Sequence, residues 1–167
     1  MRNFNLPNTH SSLIVCSGGQ TGVDRAALDA AVRSEIAICG WCPKGRRSDD
    51  GCIPPKYILT ETPKNVYNQR TEWNVRDSDG TLILYKNNLM GGTEFTYSCT
   101  KKLAKKSRLV DVSNCACSLE IANWIRDNEL RILNVAGPRE RHQRGIYQIA
   151  YNYLLSVFTE LRSLYTK

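Results

Sequence analysis

Short apolar runs alternate along the chain with longer segments of helical spacing. Residues 13–16 (Leu-Ile-Val-Cys), 36–39, 81–85, 108–112 and 131–135 read as strands. Between and after them lie helical patterns: an Ala/Leu-rich one over 26–32 opened by Asp24, and others over 63–77, 94–105, 117–127 and 145–164. The strand runs show little polar alternation, as expected of strands covered on both faces. Strands alternating with helices of this length imply parallel pairing through right-handed crossovers. The expected fold is therefore α/β, a three-layer Rossmann-like sandwich. Its parallel five-stranded sheet is expected in the order 2-1-3-4-5, with the switch point between the first and third strands. Ligands of such sheets bind outside the carboxyl ends of the strands, near that point. No repeat or linker interrupts 13–167, so one ligand-binding domain is expected, preceded by a polar N-terminal tail over 1–12.

The tail lacks the apolar core of a secretory signal, and no stretch approaches the ~20 apolar residues of a bilayer span. A cytoplasmic protein without a membrane partner is expected. A net charge of +7, from 23 Lys and Arg against 16 Asp and Glu, favours an anionic partner. Seven cysteines are scattered through the chain. Cys39 and Cys42 form a C-x-x-C without a second pair, Cys115 and Cys117 are too close for standard ligands, and His10 and His142 are isolated. Reduced, packed thiols and no directly ligated metal are expected.

Three strand ends run into glycine. The first leads into Ser17-Gly18-Gly19-Gln20-Thr21-Gly22-Val23-Asp24 and then a helix, where backbone N–H groups and the helix dipole suit a phosphate. Asp24 is also suited to cap that helix. The third leads into Asn87-Asn88-Leu89-Met90-Gly91-Gly92-Thr93-Glu94, where Thr93 could cap the next helix or hold a phosphate oxygen. The fifth leads into Ala136-Gly137-Pro138-Arg139-Glu140, followed by Arg141, His142 and Arg144. A parallel sheet would bring these loops to one rim. The loop after the second strand, Gly40-Trp41-Cys42-Pro43-Lys44-Gly45-Arg46-Arg47, starts at the same rim; an aromatic beside cations suits a flat anionic ligand. No recognition helix or RNA-binding motif accompanies it, so nucleic acid is not the expected partner. The expected ligand contacts are thus Gly18, Gly19, Gln20, Thr21, Gly22, Lys44, Arg46, Gly91, Gly92, Thr93, Gly137 and Arg139.

Several blocks together resemble a known family. The run from Ser17 to Asp29, the Gly40–Arg47 loop, Gln69-Arg70-Thr71-Glu72-Trp73-Asn74-Val75-Arg76-Asp77-Ser78-Asp79, and Asn134-Val135-Ala136-Gly137-Pro138-Arg139-Glu140 resemble the molybdenum carrier family, the chains like the molybdenum cofactor carrier protein. The resemblance spans about 13–155. It implies a Rossmann-like, homo-oligomeric protein of the lysine-decarboxylase-like group. It also implies a cargo of molybdenum cofactor, a phosphate-bearing pterin whose dithiolene already holds the metal. The wider group contains phosphoribohydrolases. Arg70, Arg76 and Asp79 resemble their helix residues, and Gly91-Gly92-Thr93-Glu94 a shortened form of their P-G-G-x-G-T-x-x-E loop. In that case Arg70 and Glu94 would be catalytic, cleaving the N-glycosidic bond of a nucleoside monophosphate. The third alternative is a sensor of a nucleotide derivative without turnover. Simple binding of a phosphate-bearing pterin or nucleotide ranks first.

Overall fold

A computed structural model describes residues 13–114 and 117–166; the expected tail, together with His10 and Cys115, lies outside them. In chain order the elements are β1 (Ile14–Cys16), α1 (Val23–Arg33), β2 (Ala37–Cys39), β3 (Trp41–Cys42), β4 (Arg47–Ser48), β5 (Gly51–Cys52), β6 (Thr60–Glu61), α2 (Tyr67–Arg76), β7 (Gly80–Tyr85), α3 (Gly91–Lys102), β8 (Lys106–Asp111), α4 (Ser118–Asp127), β9 (Ile132–Ala136) and α5 (Ile146–Tyr165).

Five parallel strands form the main sheet, in the order β2-β1-β9-β7-β8. Helices α1, α4 and α5 pack together on one face, and α2 and α3 pair on the other. The three-layer α/β fold is as expected, and so are the β2–β1 and β7–β8 neighbours. One placement differs from the order 2-1-3-4-5: the last strand, β9, lies between β1 and β7 and takes the place beside β1 expected of the third strand. The burial of each strand explains this. Leu133, Asn134, Val135 and Ala136 of β9 are all buried, as a central strand requires, whereas Lys106 and Arg108 expose alternate positions of β8, as suits an edge. Asn134 enters the centre because its Nδ2 donates to Thr81 Oγ1 on β7 at 3.3 Å.

The main core lies between the sheet and the α1/α4/α5 layer. Val15, Leu82, Leu84, Leu133 and Val135 meet Ala26, Ala27, Ala30 and Ala31 of α1, together with Ile146, Leu154, Val157 and Phe158 of α5. Alanines on α1 let it approach the sheet closely. The chain after β2, expected as loop over 40–47, holds the strand β3, which pairs with β6, and the β4–β5 antiparallel hairpin. Arg46 organises it, donating to the carbonyls of Ile53, Pro54, Tyr57 and Leu59 at 2.9–3.3 Å.

Candidate functional site

A cleft of about 630 Å³ opens at the carboxyl ends of β1, β9 and β7. It is lined by Gln20 and Asp24 after β1, by Asn88 and Met90–Thr93 after β7, and by 136–139 and 141–143 at and after β9, with Tyr67, Arg70 and Thr71 of α2 alongside. Because these three strands are neighbours, the three glycine loops meet on one rim, closer together than the expected order would place them.

The floor is polar. Arg70 Nη1 donates to Asp24 Oδ2 at 2.8 Å, and both side chains are almost wholly buried. Asp24 does not cap α1: Gly22 holds that position, and Asp24 is the helix's second residue. The guanidinium rests on Gly18, where a Cβ would lie 1.8 Å from Arg70 Nη1. One turn further along α2, Asn74 accepts from Trp41 N–H at 2.7 Å and donates to Trp41 carbonyl at 3.0 Å, fixing α2 against β3. Gln20 Oε1 accepts from the N–H groups of Thr21 (2.9 Å) and Asp49 (2.8 Å). Among the described residues its Nε2 is buried without a partner, as are Arg70 Nε and Gln143 Oε1. Buried polar atoms are nearly always paired, and the three residues that carry these unpaired ones all line the cleft.

One wall is the N-terminus of α3. Its N-cap is Met90, whose side chain offers no capping bond. Gly91, at φ 55°, and Gly92 have open space where a Cβ would stand, so an approaching group can reach their backbone. The helix's positive end favours an anion there. Thr93 is buried at the same wall and lies inside the helix, not at its cap.

The opposite lip carries cations already engaged. Arg139 Nη1 donates to Asp49 Oδ1 at 2.8 Å, and Arg141 forms an ion pair with Asp49, Nε to Oδ2 at 3.0 Å, while its Nε–H donates to His142 Nε2 at 3.2 Å. The Arg139 guanidinium also lies over the Tyr67 ring, 4.5 Å from its centre. Asp49 is at the tip of the β4–β5 hairpin, so an internal carboxylate sits where an external anion would meet these arginines.

Other expected site residues are turned to packing. A Cβ on Gly19 (φ 72°) would meet Leu59 Cδ1 at 2.7 Å, on Gly22 (φ 86°) Pro138 carbonyl oxygen at 2.3 Å, and on Gly137 Leu84 carbonyl oxygen at 2.5 Å. The close approach these glycines permit is to the chain itself. Arg46 is spent on four carbonyls, Lys44 is exposed outside the cleft lining, and Thr21 lines a neighbouring surface depression with Asp49 and Arg144. Trp41 packs edge-on against Trp73, ring centres 4.8 Å apart, and its Nε1 donates to Asp77 at 2.8 Å. Glu94 is exposed and outside the cleft lining. Asp79 accepts from Arg131 and Ile132 N–H at the opposite end of the sheet, so Arg70 alone of that helix pattern reaches the cleft.

Several contributors lie outside the expected list: Tyr67, which opens α2, Phe95 near the start of α3, Asp49, which stands in an Asp-Asp-Gly turn, and Gln143, which gives no sequence signal at all. The cysteines are packed only in part: Cys42 is buried with Leu28, Ile53 and Tyr57, and Cys16 and Cys39 face each other across β1 and β2, whereas Cys52 and Cys117 are exposed. The Cys39 thiol and burial push Cys16 well up from its ordinary value, which keeps it protonated. Among the described residues no three His, Cys, Asp or Glu gather as a metal site, and no helix is long and apolar enough to cross a membrane.

Against known proteins, the model of the circularly permutated YpsA SLOG family matches residues 15–158. A crystal structure from Syntrophus aciditrophicus SB, of a protein named Putative molybdenum carrier protein, is 39% identical, with a TM-score of 0.81 over 89% of this chain and 95% of that one. No curated protein matches. These two matches bear out the molybdenum carrier resemblance, and the chain belongs to the circularly permutated YpsA SLOG family.

Proposed function

We propose that this chain is a binding protein for a phosphate-bearing heterocycle, a pterin or a nucleotide, of the molybdenum cofactor carrier type. The observation that carries the reading is the uncapped start of α3, with open space at Gly91 and Gly92, facing a cleft whose floor holds the unpaired Gln20 and Arg70 donors. Phosphate belongs at Gly91, Gly92 and Thr93, where the helix end supplies N–H groups and positive potential. Arg139, which lines the cleft, would supply counter-charge by exchanging Asp49 for the ligand. Phe95 lines the cleft and offers aromatic surface to a flat ring, beside Tyr67, one side of whose ring the Arg139 guanidinium covers. Gly18, Gly22 and Gly137 serve by letting Arg70 and the neighbouring loops close into this shape.

The cleft's chemistry fits a molybdenum cofactor as cargo. Its volume and its unpaired donors and acceptor suit the pterin, and the α3 terminus suits the phosphate. The metal would travel on the dithiolene. The similarity to a named carrier supports this reading, and the family resemblance adds a homo-oligomeric, cytoplasmic protein to it. A phosphoribohydrolase would need Glu94 at the sugar, and its exposed position outside the cleft lining weighs against that.

Mass spectrometry of small molecules retained through gentle purification tests the reading, with calorimetry of ribose 5-phosphate as the minimal phosphate probe. Retention of a phosphorylated heterocycle, and loss of ribose 5-phosphate binding in Gly92→Asp, are expected. Ribose 5-phosphate binding that is absent, or indifferent to Gly92→Asp, would overturn it.

A further inference from the structure

Two amides in the cleft each have one end fixed and one end free. Gln20 is held by its oxygen, which accepts from the N–H groups of Thr21 and Asp49, leaving a buried, unpaired Nε2 donor on a residue only 3% exposed. Gln143 is held by its nitrogen, which donates to Lys86 carbonyl at 2.8 Å and leaves a buried, unpaired Oε1 acceptor. Neither amide can flip without setting oxygen against carbonyl or N–H against N–H, so the free ends are assigned. Arg70 adds a second free donor, Nε, because Nη1 is taken by Asp24. The two donors sit on the β1 side of the cleft. The acceptor is tied to the end of β7, and β9 separates those two strands.

We propose that the cleft reads a lactam edge, a carbonyl oxygen next to a ring N–H, and selects oxo-heterocycles over their amino counterparts. This rests on the phosphate-site reading above. The ligand's carbonyl oxygen has two lone pairs and takes both Gln20 Nε2 and Arg70 Nε. Its ring N–H donates to Gln143 Oε1. A 6-oxopurine and the oxo edge of a pterin share this pattern. An amino-heterocycle sets N–H against the two donors and a bare ring nitrogen against the acceptor, leaving every one of these groups mismatched. Sites built to hydrogen-bond a group reject analogues that lack it far more strongly than apolar pockets do.

The test compares IMP with AMP, which share ribose and phosphate and differ only at this edge, alongside ribose 5-phosphate. IMP is expected to bind at least tenfold more tightly than AMP by calorimetry. Gln20→Glu keeps the oxygen that accepts from Thr21 and Asp49 and turns the free donor into an acceptor. In that variant the IMP-to-AMP preference is expected to fall to unity or reverse, and the ratio cancels the added charge because both ligands carry the same phosphate. Equal binding of IMP and AMP by the native protein overturns the edge reading, while ribose 5-phosphate binding in the same experiment leaves the phosphate site standing. Failure of all three to bind overturns both. A native preference for IMP that Gln20→Glu leaves untouched, in a variant with a native circular dichroism spectrum, also overturns the role given to Gln20.

Discussion

Arg70 and Asp24, 46 residues apart in sequence, meet through a 2.8 Å ion pair at the floor of the cleft. The pair joins α2 to the first turn of α1, and the bare Cα of Gly18 makes room for it. Breaking a buried ion pair from one side leaves the other charge without compensation, which costs about 3–5 kcal/mol. Asp24→Ala and Arg70→Ala are each expected to lose stability on that order in urea denaturation. The double variant should lose about 1–3 kcal/mol less than the sum of the singles. Strict additivity would show that the two side chains do not act together.

Gly22 and Gly92 separate folding from binding. At Gly22, φ is 86° and a Cβ would lie 2.3 Å from Pro138 carbonyl oxygen, so Gly22→Ala is expected to destabilise the fold by at least about 1–3 kcal/mol. At Gly92 the space is open and the conformation helical, so Gly92→Ala should leave stability unchanged or raise it by up to about 1 kcal/mol. The same methyl group stands where a phosphate would approach the backbone, and ribose 5-phosphate affinity should fall. Thermal melts and calorimetry on the two variants check the opposite signs.

Asp49 competes with any anion for Arg139 and Arg141. Asp49→Asn removes the internal carboxylate charge and keeps a side chain of the same shape. Ribose 5-phosphate is expected to bind several-fold more tightly to this variant. Its affinity should also fall more steeply with salt, since exposed charges are screened over ~10 Å at 0.1 M. Calorimetry at two ionic strengths reads both effects, and unchanged affinity would place the ligand away from these arginines.

Alkaline pH should loosen the α1 side of the domain. Burial and the hydrogen bond to Asp29 raise the phenols of Tyr57 and Tyr147 well above their ordinary value. They donate to Asp29 Oδ1 and Oδ2 at 2.7 and 2.8 Å. A tyrosine with a raised folded pKa keeps its proton when the unfolded chain has lost it. Its stabilisation is therefore whole below about pH 10 and fades as pH rises beyond that. The melting temperature should fall from pH 9.5 to pH 11.5. A Tyr57→Phe/Tyr147→Phe variant should show a shallower fall over the same range.

Incubated with AMP or GMP, the protein is expected to release no free base above the blank, because Glu94 is exposed outside the cleft. Chromatography of the mixture measures this. Base release that vanishes in Glu94→Gln would assign the chain to the phosphoribohydrolases.

Much of the molecule was legible in the chain alone, because periodicity is a local property. The apolar runs at 13–16 and 81–85 read as covered strands, and the alanines of α1 as a packed helix face. The glycine-rich strand ends marked the rim at which the cleft opens. Position in the sheet was a different matter. That β9 lies between β1 and β7 depends on competition among all five strands for the buried centre, and Asn134 could enter it only because Thr81 waits on the neighbouring strand. The glycines show the same division. Sequence places each at a tight approach, but the fold decides what approaches: Arg70 at Gly18, Pro138 at Gly22, and open space at Gly91 and Gly92. A side chain's partner is set by residues far away in the chain, as Asp24 with Arg70 and Gln143 with Lys86 demonstrate. The sequence therefore determined where the cleft would form, and the tertiary structure decided which of its polar atoms were left free to meet a ligand.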